Sequence, residues 1–149
     1  MSDTGAARGI KISAVDDFIE RAVRERSERM DRTGEFDQQL LDEAADLGLL
    51  RMFFDDELSL DLSSMPLAHD ITERLASVCA PLAMEIGISR LTAYLLARFA
   101  EEKVRDRWLR STVEGRTYGS FALTEPEAGT DLRGISTVAV RKGDSYVLN

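Results

Sequence analysis

The chain has 149 residues, 44% of them apolar and 31% charged, with 19 Lys and Arg against 27 Asp and Glu for a formal net charge of −8. A chain of this length removes roughly 70% of its unfolded surface from water, and its composition excludes a disordered polypeptide. The acidic balance excludes a general nucleic-acid binder, because phosphate backbones are held by clustered Lys and Arg.

Ser13 precedes apolar positions Val15, Phe18, Ile19, Ala22, Val23 and Met30. Their three-and-four spacing predicts an amphipathic helix ending before Gly34, with Ser13 as its cap and Asp16 completing an approximate capping box. The arginines at 21, 24, 26 and 29 alternate with acids and read as its solvated face. Asp37 caps a second helix with Leu40, Leu41, Ala44 and Leu47 on its buried side. Phe36 and Leu41 stand in the places of a hydrophobic staple, and Gly48 suits a left-handed stop.

Residues 55–64, DDELSLDLSS, form a polar connection. Pro66 opens a third helix running to about Val78, and Pro81 opens a fourth reaching Phe99, about 28 Å in length. Leu82, Ile86, Ile88, Leu91, Tyr94, Leu95, Leu96 and Phe99 spread around more than one face, as in a helix surrounded by others. Glu85, Arg90 and Arg98 interrupt that run and argue against a membrane span. A fifth, charged helix carries Val104, Trp108 and Leu109 as its apolar stripe and ends near Gly115.

Beyond Gly115 the period changes. Residues 118–123 read as a strand, and STVAVRKGDSYVLN reads as two strand-like runs about a turn at Lys142, Gly143 and Asp144. The fold class is therefore α+β: an all-α bundle over residues 1–115, then the first strands of a β domain over 116–149. A hairpin and one strand are too little sheet to stand alone, so they pack on the helices or pair with further strands.

Cys79 in LASVCAPLA reads as a small buried hydrophobe and His69 as structural or exposed; one Cys and one His define no metal site. The first residues lack the basic-then-apolar order of a secretory signal, which points to the cytoplasm.

FALTEPEAGTD, residues 121–131, is too apolar at its start for a surface linker and too polar at its end for a strand. A loop leaving a strand with Thr124, Gly129 and Thr130 offers free backbone N–H groups, hydroxyls and tolerance of unusual dihedrals, all suited to phosphate or a planar heteroaromatic ring. The residues alone also allow an ordinary turn shaped by Pro126 and Gly129, with Asp131 bonded to its own backbone.

ALTEPEAGTDLRG resembles the first signature segment of the acyl-CoA dehydrogenase family, matching it in the order Ala, branched apolar, Thr, Glu, small, Gly, hydroxyl, Asp and small. LGLL near residue 47, FAEEKVRDRWL at 99–109 and the terminal GDSYVLN are similar to that family at matching separations, so the likeness runs from about residue 15 to the end. It implies a truncated acyl-CoA dehydrogenase fold: the N-terminal helical domain and the beginning of a middle β-barrel-like domain, with a C-terminal four-helix bundle outside this chain and FAD lying between middle domain and bundles. By the same resemblance Phe121, Ala122, Leu123, Thr124, Gly129 and Thr130 lie along the flavin. Phe121, Leu123 and Thr124 fall near the isoalloxazine, Gly129 and Thr130 near the pyrophosphate, and Thr130 also touches the acyl-CoA. Glu125 and Asp131 read as scaffold that holds the loop through backbone hydrogen bonds.

The chemistry implied is removal of two hydrogens from the α and β carbons of an acyl thioester, with electrons passing on to an electron-transferring flavoprotein and the full-length protein a homo-oligomer. The family's catalytic carboxylate lies in the C-terminal bundle, so no catalytic base is assigned here, and acids such as Glu85 or Glu127 do not fill that role. Residues 55–62, DDELSLDL, stand where many relatives carry a Pro-Glu-Glu-Tyr-Gly-Gly-like turn, which leaves acyl preference open and predicts another path for that loop. Two other readings remain: a non-catalytic helical interaction subunit derived from the family, and a related flavoprotein oxidase or carrier-protein thioester dehydrogenase.

Overall fold

The computed structural model describes residues 9–149. Six helices precede one hairpin: α1 (Ile12–Phe18), α2 (Arg24–Thr33), α3 (Gln38–Asp46), α4 (Met65–Ala76), α5 (Ala80–Phe99) and α6 (Glu102–Val113), then β1 (Ala139–Lys142) and β2 (Ser145–Leu148). The fold is the α+β arrangement expected, a helical N-terminal part followed by two strands.

The first predicted helix is three pieces in line. A π-helical turn, Ile19–Val23, joins α1 to α2, and Gly34 ends α2 with a left-handed φ of 69°. Ser13 does not cap it. Lys11 occupies the N-cap position without a side-chain bond, and the expected capping-box acid Asp16 instead accepts from Arg74 Nη1 on α4 at 2.9 Å. The acid thus joins α1 to α4, and α1 begins without a side-chain cap.

Asp37 does cap α3, accepting from Gln39 N at 3.1 Å. The same carboxylate receives Arg26 Nε at 3.0 Å and the Arg29 guanidinium, so it also fastens α2 to α3, and Arg26 foremost holds its carboxyl below the usual value. Gly48, at φ 79°, stops the segment as expected.

Residues 55–60 close a tight loop without glycine. Asp55 Oδ1 accepts from Glu57 N at 3.0 Å and Ser59 N at 2.7 Å, and Leu58 adopts φ 63°. A leucine in that region costs of order 1–3 kcal/mol, which its packing beside Phe54, Ala93 and Leu109 offsets. Arg51 Nη2 donates to Asp55 O at 3.0 Å from the preceding turn.

The main core joins α1, the π turn, α3, α4 and the first half of α5: Val15, Phe18, Val23, Leu40, Leu41, Leu49, Leu50, Ile71, Leu75, Leu82 and Ile86 are all essentially without exposure. A second cluster, Phe54, Ala93, Leu109 and Val113, joins the 50s loop to the α5–α6 pair. The predicted stripe of α6 is corrected here: Leu109 is buried, but Val104 and Trp108 are 42% and 41% exposed, and the buried side is Leu109, Thr112 and Val113. Arg107 instead lies over the Trp108 ring, 4.8 Å from its centroid. Most of helix α5 is at least half-buried, with Ile88, Leu91, Tyr94, Leu95 and Leu96 partly covered. Leu82, Ala83, Ile86, Ser89, Arg90 and Ala93 face inward, whereas Met84 and Phe99 are exposed.

Arg90 is 3% exposed and, among the described residues, has no carboxylate partner. Its Nε donates to Leu49 O at 2.7 Å, Nη1 to Thr72 Oγ1 at 3.3 Å, and Nη2 lies 3.1 Å from Met52 Sδ. Burial alone pushes its pKa down to about 10.

The strand expected over residues 118–123 is absent: among the described residues the segment has no backbone hydrogen bond and no neighbouring strand to pair with. The hairpin forms as expected, with Lys142 opposite Ser145 and Gly143 at φ 63° in the two-residue turn. Both of its strands are exposed throughout. Among the described residues no helix is long and apolar enough to cross a membrane.

Candidate functional site

The chain leaves the helices through a fixed path. Gly115 has φ 69°, and a Cβ there would overlap that of Ala45 on α3. Tyr118 Oη donates to Asp42 Oδ1 of α3 at 2.6 Å, and a Cβ on Gly119 would overlap the Thr92 side chain of α5. Thr117 Oγ1 donates to Ser111 Oγ at 2.9 Å, tying the same stretch to the end of α6. Residues 115–119 are thus held against three helices, and whatever follows starts from a defined point beside α5.

Residues 121–124 then run outward. Phe121 is 45% and Leu123 37% exposed, and all four residues are exposed. Among the described residues no backbone hydrogen bond engages 120–124, and neither Thr124 nor Thr130 has a partner for its hydroxyl. A tight turn follows, closed by Glu125 N to Ala128 O at 2.9 Å and Ala128 N to Glu125 O at 3.1 Å. Gly129 and Thr130 are exposed beyond it.

The two acids of the motif bind backbone, as expected. Asp131 Oδ1 accepts from Arg133 N at 3.1 Å and caps the short 3₁₀ turn Leu132–Gly134, with Arg133 Nε at 2.9 Å. Glu125 spans further: Oε2 accepts from Ser136 N at 2.8 Å and Ser136 Oγ at 3.0 Å, and Oε1 from Thr137 N at 3.0 Å. Those donors, Ser136 N first, lower its pKa to about 2. Ala128 is 1% exposed, and a Cβ on Gly134 would come within 3.1 Å of Glu127 O, so the turn packs on the 3₁₀ segment.

The six predicted cofactor residues therefore fall in two exposed runs, 121–124 and 129–130, on either side of one tight turn whose Ala128 is buried. Their chemistry fits a flavin: apolar Phe121 and Leu123 for a ring, unengaged N–H groups and two free hydroxyls for a polar edge or a diphosphate. What the sequence reading missed is the anchoring upstream, Tyr118 with Asp42 and the glycines that let the backbone touch Ala45 and Thr92. The signal was available as two glycines flanking one aromatic residue.

The sequence profile "Acyl-CoA dehydrogenase, N-terminal domain" matches residues 11–116. The chain is 33% identical over 139 residues to the probable acyl-CoA dehydrogenase YngJ of Bacillus subtilis, covering 91% of this chain and 36% of that protein. It is 32% identical over 137 residues to the caffeyl-CoA reductase-Etf complex subunit CarC of Acetobacterium woodii, covering 89% and 36%. The butyryl-CoA dehydrogenase structure from Megasphaera elsdenii superimposes with a TM-score of 0.80 at 30% identity, over 93% of this chain and 37% of that one. The chain belongs to the acyl-CoA dehydrogenase family and has the N-terminal part of its fold. It spans a little over a third of the length of the curated relatives it matches, 36% in these two cases.

Proposed function

We propose that this chain forms the N-terminal helical domain, residues 1–115, and the opening of the middle β domain, residues 116–149, of an FAD-dependent dehydrogenase of acyl-CoA thioesters. The observation that carries this reading is the run 121–124, anchored at Tyr118 and yet exposed, unpaired and chemically mixed. A segment so well located and so unengaged is built to be covered by a ligand.

Phe121, Ala122 and Leu123 would line the ring and Thr124 would offer its hydroxyl to the ring's polar edge. Gly129 and Thr130 would present N–H groups and a hydroxyl to the diphosphate, with Thr130 also reaching the thioester. When bound, the flavin supplies a hydride acceptor. The work of this chain's own residues is placement: they orient the ring. No residue here is assigned as the base. An electron-transferring flavoprotein as acceptor is supported by the Etf complex named for the Acetobacterium relative. The cytoplasm is the proposed compartment.

The test is direct. The polypeptide encoded by the complete reading frame that contains this chain is purified, desalted and scanned for flavin absorbance, then titrated anaerobically with short-chain acyl-CoA. Retained FAD that bleaches on titration supports the reading; a flavin-free protein indifferent to acyl-CoA rejects it. That second outcome would favour a helical binding subunit, whose motivating feature is the exposed Met84 and Phe99 on α5.

A further inference from the structure

Residues 125–137 form a small loop closed on itself, of the Ω type, whose ends are brought together by a single side chain. The Glu125 carboxylate uses both oxygens: Oε2 takes the Ser136 N–H at 2.8 Å and the Ser136 hydroxyl at 3.0 Å, and Oε1 takes the Thr137 N–H at 3.0 Å. Inside the closure Ala128 is the buried centre and Gly134 packs on the turn. The two exposed runs that the proposed function assigns to the flavin, 121–124 and 129–130, enter and line this loop. The turn closed by Glu125 N to Ala128 O and Ala128 N to Glu125 O joins the two runs, and the carboxylate fixes the return of the loop to that turn.

We propose that Glu125 is a positioning residue that holds the two halves of the flavin-facing motif in a fixed relation before any ligand arrives. The inference rests on the flavin reading and deepens it. Three features of the geometry support it. The donors are two successive backbone N–H groups, each bonded to its own oxygen of the one carboxylate. An ionised carboxylate has only acceptors, so it satisfies all three donors at once; an amide would turn an NH₂ group toward one of them. No residue of 125–137 belongs to either helical core cluster, so the clasp adds to the turn a second tie between 121–124 and the far end of the loop. Preorganisation of this kind raises affinity by removing the ordering that binding would otherwise require.

Glu125→Gln tests it with two readouts. In the 149-residue chain, hydrogen exchange followed by NMR is expected to show slowed amides at Ser136 and Thr137 in the wild type and at least tenfold faster exchange in the variant, with the thermal midpoint of the helices unchanged. In the polypeptide from the complete reading frame, the FAD dissociation constant is expected to rise about tenfold in Glu125→Gln, with a smaller rise in Ser136→Ala, which removes one of the three donors. A merely structural role would lower the melting midpoint and leave FAD affinity of the folded fraction alone. Equal FAD affinity in wild type and Glu125→Gln overturns the proposal, as do unprotected Ser136 and Thr137 amides in the wild type. Absence of flavin from the wild type rejects the flavin reading itself, and with it the positioning role, while the exchange experiment still judges the clasp.

Discussion

The phenolic hydroxyl of Tyr118 donates to Asp42 Oδ1 on α3 at 2.6 Å, across 76 positions of sequence. This bond fixes where the chain departs from the helices. Burial, and then the bond to Asp42, raise the Tyr118 pKa well above that of a free tyrosine, so the hydroxyl remains a donor throughout the range in which proteins are handled. Tyr118→Phe is expected to cost about 0.5–1.5 kcal/mol, measured by urea unfolding of the chain, because Asp42 is exposed and recovers water as its partner.

Gly119 tests the same anchor from the other side. Gly119→Ala should lower stability by at least about 1 kcal/mol, since its Cβ meets the Thr92 side chain, including Thr92 Cβ. The effect should shrink in a Thr92→Gly background, where the obstructing atoms are gone. A double-mutant cycle that returns zero coupling would refute the contact.

Arg90 sets a buried charge against the hydrogen bonds it makes. Arg90→Met removes a guanidinium that lacks a carboxylate but strands Leu49 O, and the opposing effects should leave the net change within about 1–2 kcal/mol. Arg90→Ala adds an unfilled volume and should cost about 2–4 kcal/mol, read in the same urea experiment.

The Glu125 clasp has a defined pH window. Its folded-state pKa, about 2, lies below the ordinary 4.5, so the stabilisation is complete above about pH 4.5 and is lost as pH falls toward 2. Amide exchange at Ser136 and Thr137 is expected to be unaffected by the clasp's titration from neutral pH down to about 4.5 and to accelerate below it, beyond the intrinsic pH dependence. Among the described residues no helical group hydrogen-bonds this carboxylate, so the helices should not report the transition.

Isolated residues 1–149 are expected to hold FAD weakly or not at all, because the two runs at 121–124 and 129–130 cover only part of such a ligand. Flavin absorbance after desalting a mixture of chain and FAD measures this. Stoichiometric retention would show that the described residues suffice.

The helices were legible because their signals are local. Asp37 and Gly48 mark the ends of α3 by capping chemistry, and Pro66 and Pro81 open α4 and α5 where a first turn tolerates them. Ser13 misled because a hydroxyl ahead of an apolar run satisfies the capping pattern whether or not the helix begins there, and here Asp16 was claimed by Arg74, 58 positions away. On α6 Val104 and Trp108 are apolar by composition yet exposed, while the contact side runs through Leu109, Thr112 and Val113, which periodicity alone does not distinguish. Residues 118–123 have strand-like residues, yet a strand is defined by its neighbour, which sequence periodicity does not supply. The site motif was visible as residue types; the Glu125 closure could be guessed as a scaffold, but its partners Ser136 and Thr137 depend on the path of the intervening turn.

The π turn at Ile19–Val23 holds one residue more than an α turn would, between Val15 and Phe18 on one side and Met30 on the other, all of which face the core. Removing a single residue from that span is expected to leave an unbroken α-helix with both flanks still buried; a melting midpoint close to the parent's would show it, and an unfolded product would refute it.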